Sequence, residues 1–330
     1  MNEMIMRENA MECKKNPQFK DVCMEWLKAK EIRLKRSSYI KYSDLIERYL
    51  IPHLGTVYAK DFTSLLFENE LLLIMNEQNG RTLSKSTMKT LLYIIRAIIK
   101  FGERRGYNKN IQVEFECSNS SEPNSYMVLG REDEQMLLKY LLSHSKDSNN
   151  LGIILSLTTG MRIGEICALT RAAINKDERL INISKTVQRT KSGKHTALII
   201  TSPKSKHSNR IIPIPDIVYQ YMSQNGVWEL KMNDYILSQK ESPYEPRTLQ
   251  YAYKKVLCAC KIEYINFHAL RHTFATNCVE LGFDIKTLSE LLGHSSVNFT
   301  LNRYVHSSVS LKQRQMKLLD ERYNAFSSNS

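Results

Sequence analysis

The sequence predicts a mainly α-helical protein of two domains, the second of which carries a small antiparallel β-sheet. Three observations carry that prediction. Apolar residues recur at helical spacing from Phe19 to Tyr107, and a polar stretch rich in Asn and Ser interrupts them at 108–130. Between Arg179 and Pro215 the period switches from about 3.6 to 2, after which the helical period returns. A chain of 330 residues, 42% of them hydrophobic, is long enough to build two cores.

The first half reads as four helices: FKDVCMEWLKAK, SSYIKYSDLIERYLIPHLG, TSLLFENELLLIMNEQ and SKSTMKTLLYIIRAIIKFGERRG. Ser38, Thr63 and Ser84 stand where N-caps belong, because a short side-chain oxygen can accept from the unpaired N–H groups of a first turn. Gly55, Gly80 and Gly106 fall at or just past the helix ends. After the polar stretch come two further helices, REDEQMLLKYLLSHS and NLGIILSLTTGMRIGEICALT. RLINISKTVQ, TALIITSP and NRIIPIP then read as three strands of one sheet, joined by the polar turns RTKSGKH and KSKHS. From Ile217 to the end the pattern is helical again, and the terminal SSNS is expected to fray.

Composition narrows the function classes. The formal charge of +13 favours polyanionic partners, and both halves share it. Residues 1–127 hold 20 Lys/Arg against 16 Asp/Glu, and residues 128–330 hold 27 against 18. Seven cysteines, at 13, 23, 117, 167, 258, 260 and 278, make an odd and scattered set without a CxxC pair, which suggests free thiols in a reducing compartment. No apolar run reaches the roughly 18 residues of a membrane span, and MNEMIMRENAMECKKN lacks the apolar centre of a signal peptide. The expectation is a cytoplasmic protein with no membrane partner.

Four polar interruptions of core-like segments are candidates for chemistry. In TTGMRIGEICALT, Arg162 follows a glycine and has Glu165 three residues on; it is either a surface arginine or, through an unusual turn at Gly160, one aimed into a cleft. Lys204, in TSPKSKHSNRIIPIP, is either a solvated turn lysine or a mobile proton donor. In NFHALRHTFAT, His268 and Arg271 lie three apart on one helix face, a pairing that suits a phosphate; the competing readings are a core histidine or, with His272, a metal ligand, the latter weak because the pair lacks the Glu of an HExxH helix and no third ligand clusters with it. The fourth is LLGHSSVNFTLNRYVH, with His294 and, ten positions on, Tyr304. As a set these side chains suggest phosphoryl chemistry. Dense positive charge helps a phenol of ordinary pKa near 10 to ionise and stabilises the charge that builds on a pentavalent phosphorus. No metal or other cofactor is called for, since arginines supply the field.

The order Arg, Lys, HxxR, His, Tyr resembles that of tyrosine recombinases of the phage integrase family, in the branch found in conjugative transposons and certain temperate phages. TTGMRIGEICAL resembles the family's first arginine box, HALRHTFATNCVELGFDIKTLSELLGHSS its second box with the LGH histidine, and TLNRYVH its tyrosine segment. SSYIKYSDLIERYLIPHLG resembles the start of the helical domain that clamps DNA. The resemblance implies a tail over 1–15, a SAM-like core-binding bundle over 16–108, a linker over 109–128, a mixed α+β catalytic domain over 129–308 and a C-terminal helix and tail over 309–330. It implies that Arg162 and Arg271 hold the non-bridging oxygens of the scissile phosphate and that His268 is the acid/base partner of the tyrosine. Lys204 would protonate the leaving 5′ oxygen, with Lys206 as its competitor; His294 would add a hydrogen bond, and Tyr304 would be the nucleophile. The implied partners are double-stranded DNA with core-type sites, three further copies in a synaptic tetramer assembled from monomers, and accessory DNA-bending or excisionase factors. About 15 residues precede the first helix, too few for the arm-binding domain of many mobile-element integrases, so a recombinase acting without arm sites or a shortened relative is expected.

For DNA contact outside the reacting centre, KAKEIRLKRSSYIKY offers Lys35, Arg36 and Lys41, and KSTMK offers Lys85 and Lys89. Such residues position a protein on phosphates and do not identify bases. The amphipathic segment SSVSLKQRQMKLLDERYNAF reads by itself as a helix packed on its own domain, and the resemblance implies that it docks on a neighbouring protomer.

Overall fold

The computed structural model describes residues 16–76, 83–115, 128–192, 195–201, 209–294, 296–298, 300, 313, 316, 317, 319–321, 323 and 324. The chain divides into two compact units, Met1–Pro123 and Asn124–Ser330.

The first unit is helical. Helix α1 (Phe19–Glu31) buries Phe19, Val22, Cys23, Trp26 and Leu27, the one-sided stripe its sequence spacing requires. Helix α2 (Arg36–Leu45) runs through a π-helical segment, Ile46–Leu50, into the short α3 (Ile51–Leu54). The wider turn falls just ahead of Pro52, whose ring nitrogen cannot donate the bond that a regular helix needs there. Helix α4 (Ser64–Asn76) starts with the Leu66 N–H donating to Thr63 Oγ1 at 3.2 Å, as expected of that cap. Helix α5 (Lys85–Arg105) starts with the Thr87 N–H donating to Ser84 Oγ and ends at Gly106, whose φ is +74°. The expected cap at Ser38 is displaced: α2 begins earlier, with Lys35 at the N-cap position, so Ser37 and Ser38 lie in its first turn. Gly80 lies outside the described residues.

Aromatic rings centre this core. Phe19, Phe62 and Phe67 meet with centroids 5.2–5.8 Å apart, and burial of each ring stabilises by about 1.5–3 kcal/mol. Residues 109–115 form neither helix nor strand, yet Val113 is buried, and Arg96 donates to its carbonyl through Nε (3.0 Å) and Nη2 (2.7 Å). Linker composition here conceals a packed segment.

The second unit is built around α7 (Ser148–Thr159). Its residues Asn150–Ser156 are buried without interruption, because neighbouring helices cover it on several sides. Around it lie α6 (Arg131–Ser143), α8 (Ile163–Cys167), α9 (Asp216–Gln224), α10 (Pro246–Ala259) and α11 (His268–Glu280), followed by α12 (Ile285–Leu292). The strands make two antiparallel sheets in place of the single expected one. β1 (Ile174–Asn175), β2 (Leu180–Ile183) and β5 (Arg210–Pro213) form one sheet in the order β1-β2-β5. β3 (Thr186–Ser192) and β4 (His195–Thr201) form a separate hairpin, Thr186 opposite Thr201. RLINISKTVQ was continuous in pattern, but the chain leaves the first sheet at Ser184–Lys185 and enters the second. The architecture is thus mainly α with small antiparallel sheets. No helix among the described residues is long and apolar enough to cross a membrane.

Candidate active site

Arg162 owes its position to a tight turn. Helix α7 ends at Gly160 with φ +66°, and a Cβ there would lie 2.5 Å from Phe274 Cδ1 and 2.9 Å from Leu292 Cδ2. Both the backbone angle and the close approach require glycine. The buried Ser156 hydroxyl donates to Met161 O at 3.1 Å and fixes the exit of the turn. Arg162 then becomes the N-cap residue of α8. Glu165 Oε2 accepts from the Arg162 backbone N–H at 2.9 Å, and Oε1 accepts from Arg162 Nη1 at 2.8 Å. Glu165 therefore holds both the arginine and the cap. The Arg162 side chain remains 36% exposed, and that of Glu165 only 3%.

The other residues converge on the end of α12, where a helix leaves carbonyls unpaired at the negative end of its dipole. Three guanidinium groups take three successive carbonyls. Arg210 Nε donates to Leu291 O at 2.6 Å, Arg271 Nη2 to Leu292 O at 2.5 Å, and Arg162 Nη2 to Gly293 O at 3.3 Å. Arg271, 1% exposed, also donates from Nη1 to Gly160 O at 2.6 Å, which ties the turn carrying Arg162 to the helix end carrying His294. Hydrogen bonds from charged donors contribute about 1.5–3 kcal/mol each.

Gly293, with φ +63°, turns the chain out of α12 and places His294 next to these carbonyls. The His294 ring is held by Nδ1 against Oγ1 of the fully buried Thr300, at 2.8 Å. His268 is exposed at the start of α11, three residues ahead of Arg271, and meets the buried His272 edge to face with ring centroids 4.6 Å apart. Among the described residues no group of three or more His, Cys, Asp or Glu side chains is gathered as a metal site. Of the six predicted residues, Arg162, Arg271 and His294 are brought together at the end of α12, and His268 opens the helix that carries Arg271. Lys204, its competitor Lys206 and Tyr304 lie outside the described residues.

Sequence reasoning missed Arg210 and Thr300. Arg210 had a readable signal: in RIIP the alternation buries Arg210 and Ile212 and exposes Ile211 and Pro213. An arginine at an inward strand position must find a buried anion. Here that anion is Glu165, whose Oε1 and Oε2 accept from Arg210 Nη1 and Nη2 at 3.0 and 2.8 Å.

In the first unit, Lys35, Arg36, Lys41, Lys85 and Lys89 are all exposed. Lys85, Lys89 and Tyr93 follow one another at four-residue steps along one face of α5, and Tyr93 meets Tyr42 of α2 with ring centroids 6.0 Å apart. Lys41 precedes Tyr42 on α2. Burial and the neighbouring Tyr93 phenol both raise the pKa of Tyr42.

Residues 18–70 match the N-terminal SAM-like domain of phage integrases. Among similar sequences, a tyrosine recombinase XerC-like protein of Caldanaerobacter subterraneus subsp. tengcongensis is 29% identical over 187 residues, 51% of this chain and 48% of that one. The transposase from transposon Tn916 of Enterococcus faecalis is 29% identical over 211 residues, 59% of this chain and 51% of that one. The chain thus spans about half the length of these curated relatives. In fold it is similar to the Tn1549 transposon integrase in complex with a circular intermediate DNA, with a TM-score of 0.73 at 20% identity, covering 90% of this chain and 99% of that one. It is also similar to a lambda integrase dimer bound to a COC' core site, with a TM-score of 0.62 at 14% identity over 93% and 82% of the two chains. Residues 128–310, more than half of the chain, match the Phage integrase family, and the protein belongs to that family.

Proposed function

We propose that this protein is a site-specific recombinase that cuts and rejoins double-stranded DNA through a 3′-phosphotyrosyl intermediate, to integrate or excise a mobile element. The observation that carries the reading is the convergence of Arg162, Arg271 and His294 on the three residues that end α12 and follow it. Cationic and hydrogen-bonding groups fixed before a phosphate arrives are what stabilisation of a phosphorane requires.

In the proposed reaction the Tyr304 hydroxyl attacks the scissile phosphorus, His268 takes the phenolic proton, and the bond to the 5′ oxygen breaks as Lys204 protonates it. Arg162 and Arg271 hold the non-bridging oxygens, and His294 adds a hydrogen bond. One phosphodiester bond replaces another, so the reverse attack by a 5′ hydroxyl reseals the strand without ATP or metal. Lys35, Arg36, Lys41, Lys85 and Lys89 would grip the DNA backbone. The first turn of α2 suits that task, since it lacks an acidic residue and a capping side chain. Binding would occur at core-type sites, as monomers that pair into a tetramer, with accessory DNA-bending or excisionase factors. The protein would act in the cytoplasm, on the nucleoid. Relatives named as transposase, and the Tn1549 integrase solved with a circular intermediate, favour a mobile element over a relaxing topoisomerase of the same chemistry. The chain layout proposed remains 16–108 for DNA clamping, 129–308 for catalysis and 309–330 for coupling protomers.

A nicked substrate that releases a short fragment after cleavage tests the reading. Wild type should trap a covalent protein–DNA complex in EDTA, and Tyr304→Phe should trap none. Trapping by the Phe variant would remove Tyr304 as nucleophile. DNA binding without any trapping would favour a regulator that keeps the fold but does not cut.

A further inference from the structure

Arg210 is deeply buried on the first residue of β5, where water cannot solvate its charge. A guanidinium in such a place costs several kcal/mol unless its donors are matched. The match is unusual in what it connects. Nη1 and Nη2 span both oxygens of Glu165, and Nε holds the carbonyl of Leu291. Glu165 is shared, since the same two oxygens also hold Arg162 by its Nη1 and by its backbone N–H. Leu291 is shared in another sense, as it lies directly before the two carbonyls that Arg271 and Arg162 hold, and three residues before His294.

We propose that Arg210 is a positioning residue of the phosphate site, fixing through Glu165 and Leu291 the placement of Arg162 and His294. The inference rests on the reading of Arg162 as a phosphate ligand. Arg210 does not itself reach the reacting atoms. It engages both oxygens of Glu165, so the carboxylate cannot turn wholly onto Arg162, and the half-exposed arginine stays at the rim where an anion can meet it. Its third donor anchors the end of α12. Lysine cannot replace it, because one ammonium cannot span two carboxylate oxygens and a carbonyl in a fixed plane.

The test compares Arg210→Lys, Arg210→Gln, Arg162→Lys and wild type on two nicked single-site substrates. One has an ordinary scissile phosphate and the other a neutral methylphosphonate at that position. Single-turnover cleavage rates are read, since a loss of folded protein lowers the amplitude and leaves the rate of the folded fraction. The two Arg210 variants should cleave the phosphate substrate slower by about tenfold or more, with site affinity changed by less than about twofold. On the methylphosphonate, where less charge needs to be met, their deficit relative to wild type should shrink to about threefold or less. Arg162→Lys should behave in the same way. If Arg162→Lys cleaves the phosphate as fast as wild type, the phosphate-ligand reading fails. If Arg162→Lys is slow but the Arg210 variants are not, or if they are slowed equally on both substrates, the positioning role of Arg210 alone is overturned.

Discussion

Glu165 is a single buried carboxylate between two arginines. Burial pushes its carboxyl up, but hydrogen bonds and charge from Arg210, with Arg162 beside it, outweigh this and hold it at about 2, against an ordinary 4.5. A depressed folded-state pKa stabilises the fold fully above the unfolded value, and that stability is lost as pH falls from about 4.5 through about 2. Glu165→Gln should therefore cost about 3–5 kcal/mol at neutral pH, since it leaves the Arg210 charge buried and uncompensated. The gap between wild type and variant should narrow on acidification. Urea midpoints at pH 7 and pH 3 check this, and an equal gap at both would contradict it. Gly160→Ala should cost about 2–4 kcal/mol, from the positive φ together with the collision on Phe274. Thermal denaturation of the variant measures it. At this scale the sequence was legible where partners are local. The Arg162–Glu165 pair is three residues apart and follows a glycine, whereas Arg210 finds Glu165 across 45 positions and Leu291 across 81. No spacing rule reaches that far; only the inward place of an arginine on a strand pointed to a buried partner.

Element by element, helices with long one-sided stripes were read correctly, because their periodicity is imposed by packing against a core. The break at Ser184–Lys185 was not, because a strand changing sheets keeps its alternation while its hydrogen-bond partners change. Residues 109–115 were misleading for a related reason. Polar composition marks the absence of a period, and says nothing of whether one apolar residue such as Val113 is tucked into a core. The face of α5 formed by Lys85, Lys89 and Tyr93 gives the element its test. If each lysine meets one phosphate, Lys85→Ala or Lys89→Ala should lower the slope of log affinity against log salt by about 0.9 without changing sequence preference. Fluorescence anisotropy on specific and scrambled DNA across a salt series reads both quantities. An unchanged slope would place that face away from the backbone.

In the whole molecule, each unit owns a hydrophobic cluster of its own. The charge of +13 is spread over both halves of the sequence, a distribution suited to a ligand with charge along its length. Of the C-terminal segment, the described residues Met316, Leu319 and Tyr323 expose apolar surface. Deleting residues 309–330 should impair strand exchange between two sites far more than binding to one, measured by recombination and mobility-shift assays on the same DNA. The proposed reaction is defined by the residue that becomes joined to DNA. Protease digestion of the covalent complex trapped on a nicked substrate, followed by mass spectrometry of the DNA-linked peptide, identifies it directly. The expected linkage is a 3′-phosphoryl bond to Tyr304, and a bond to any other side chain, or to a 5′ end, would overturn the proposed chemistry.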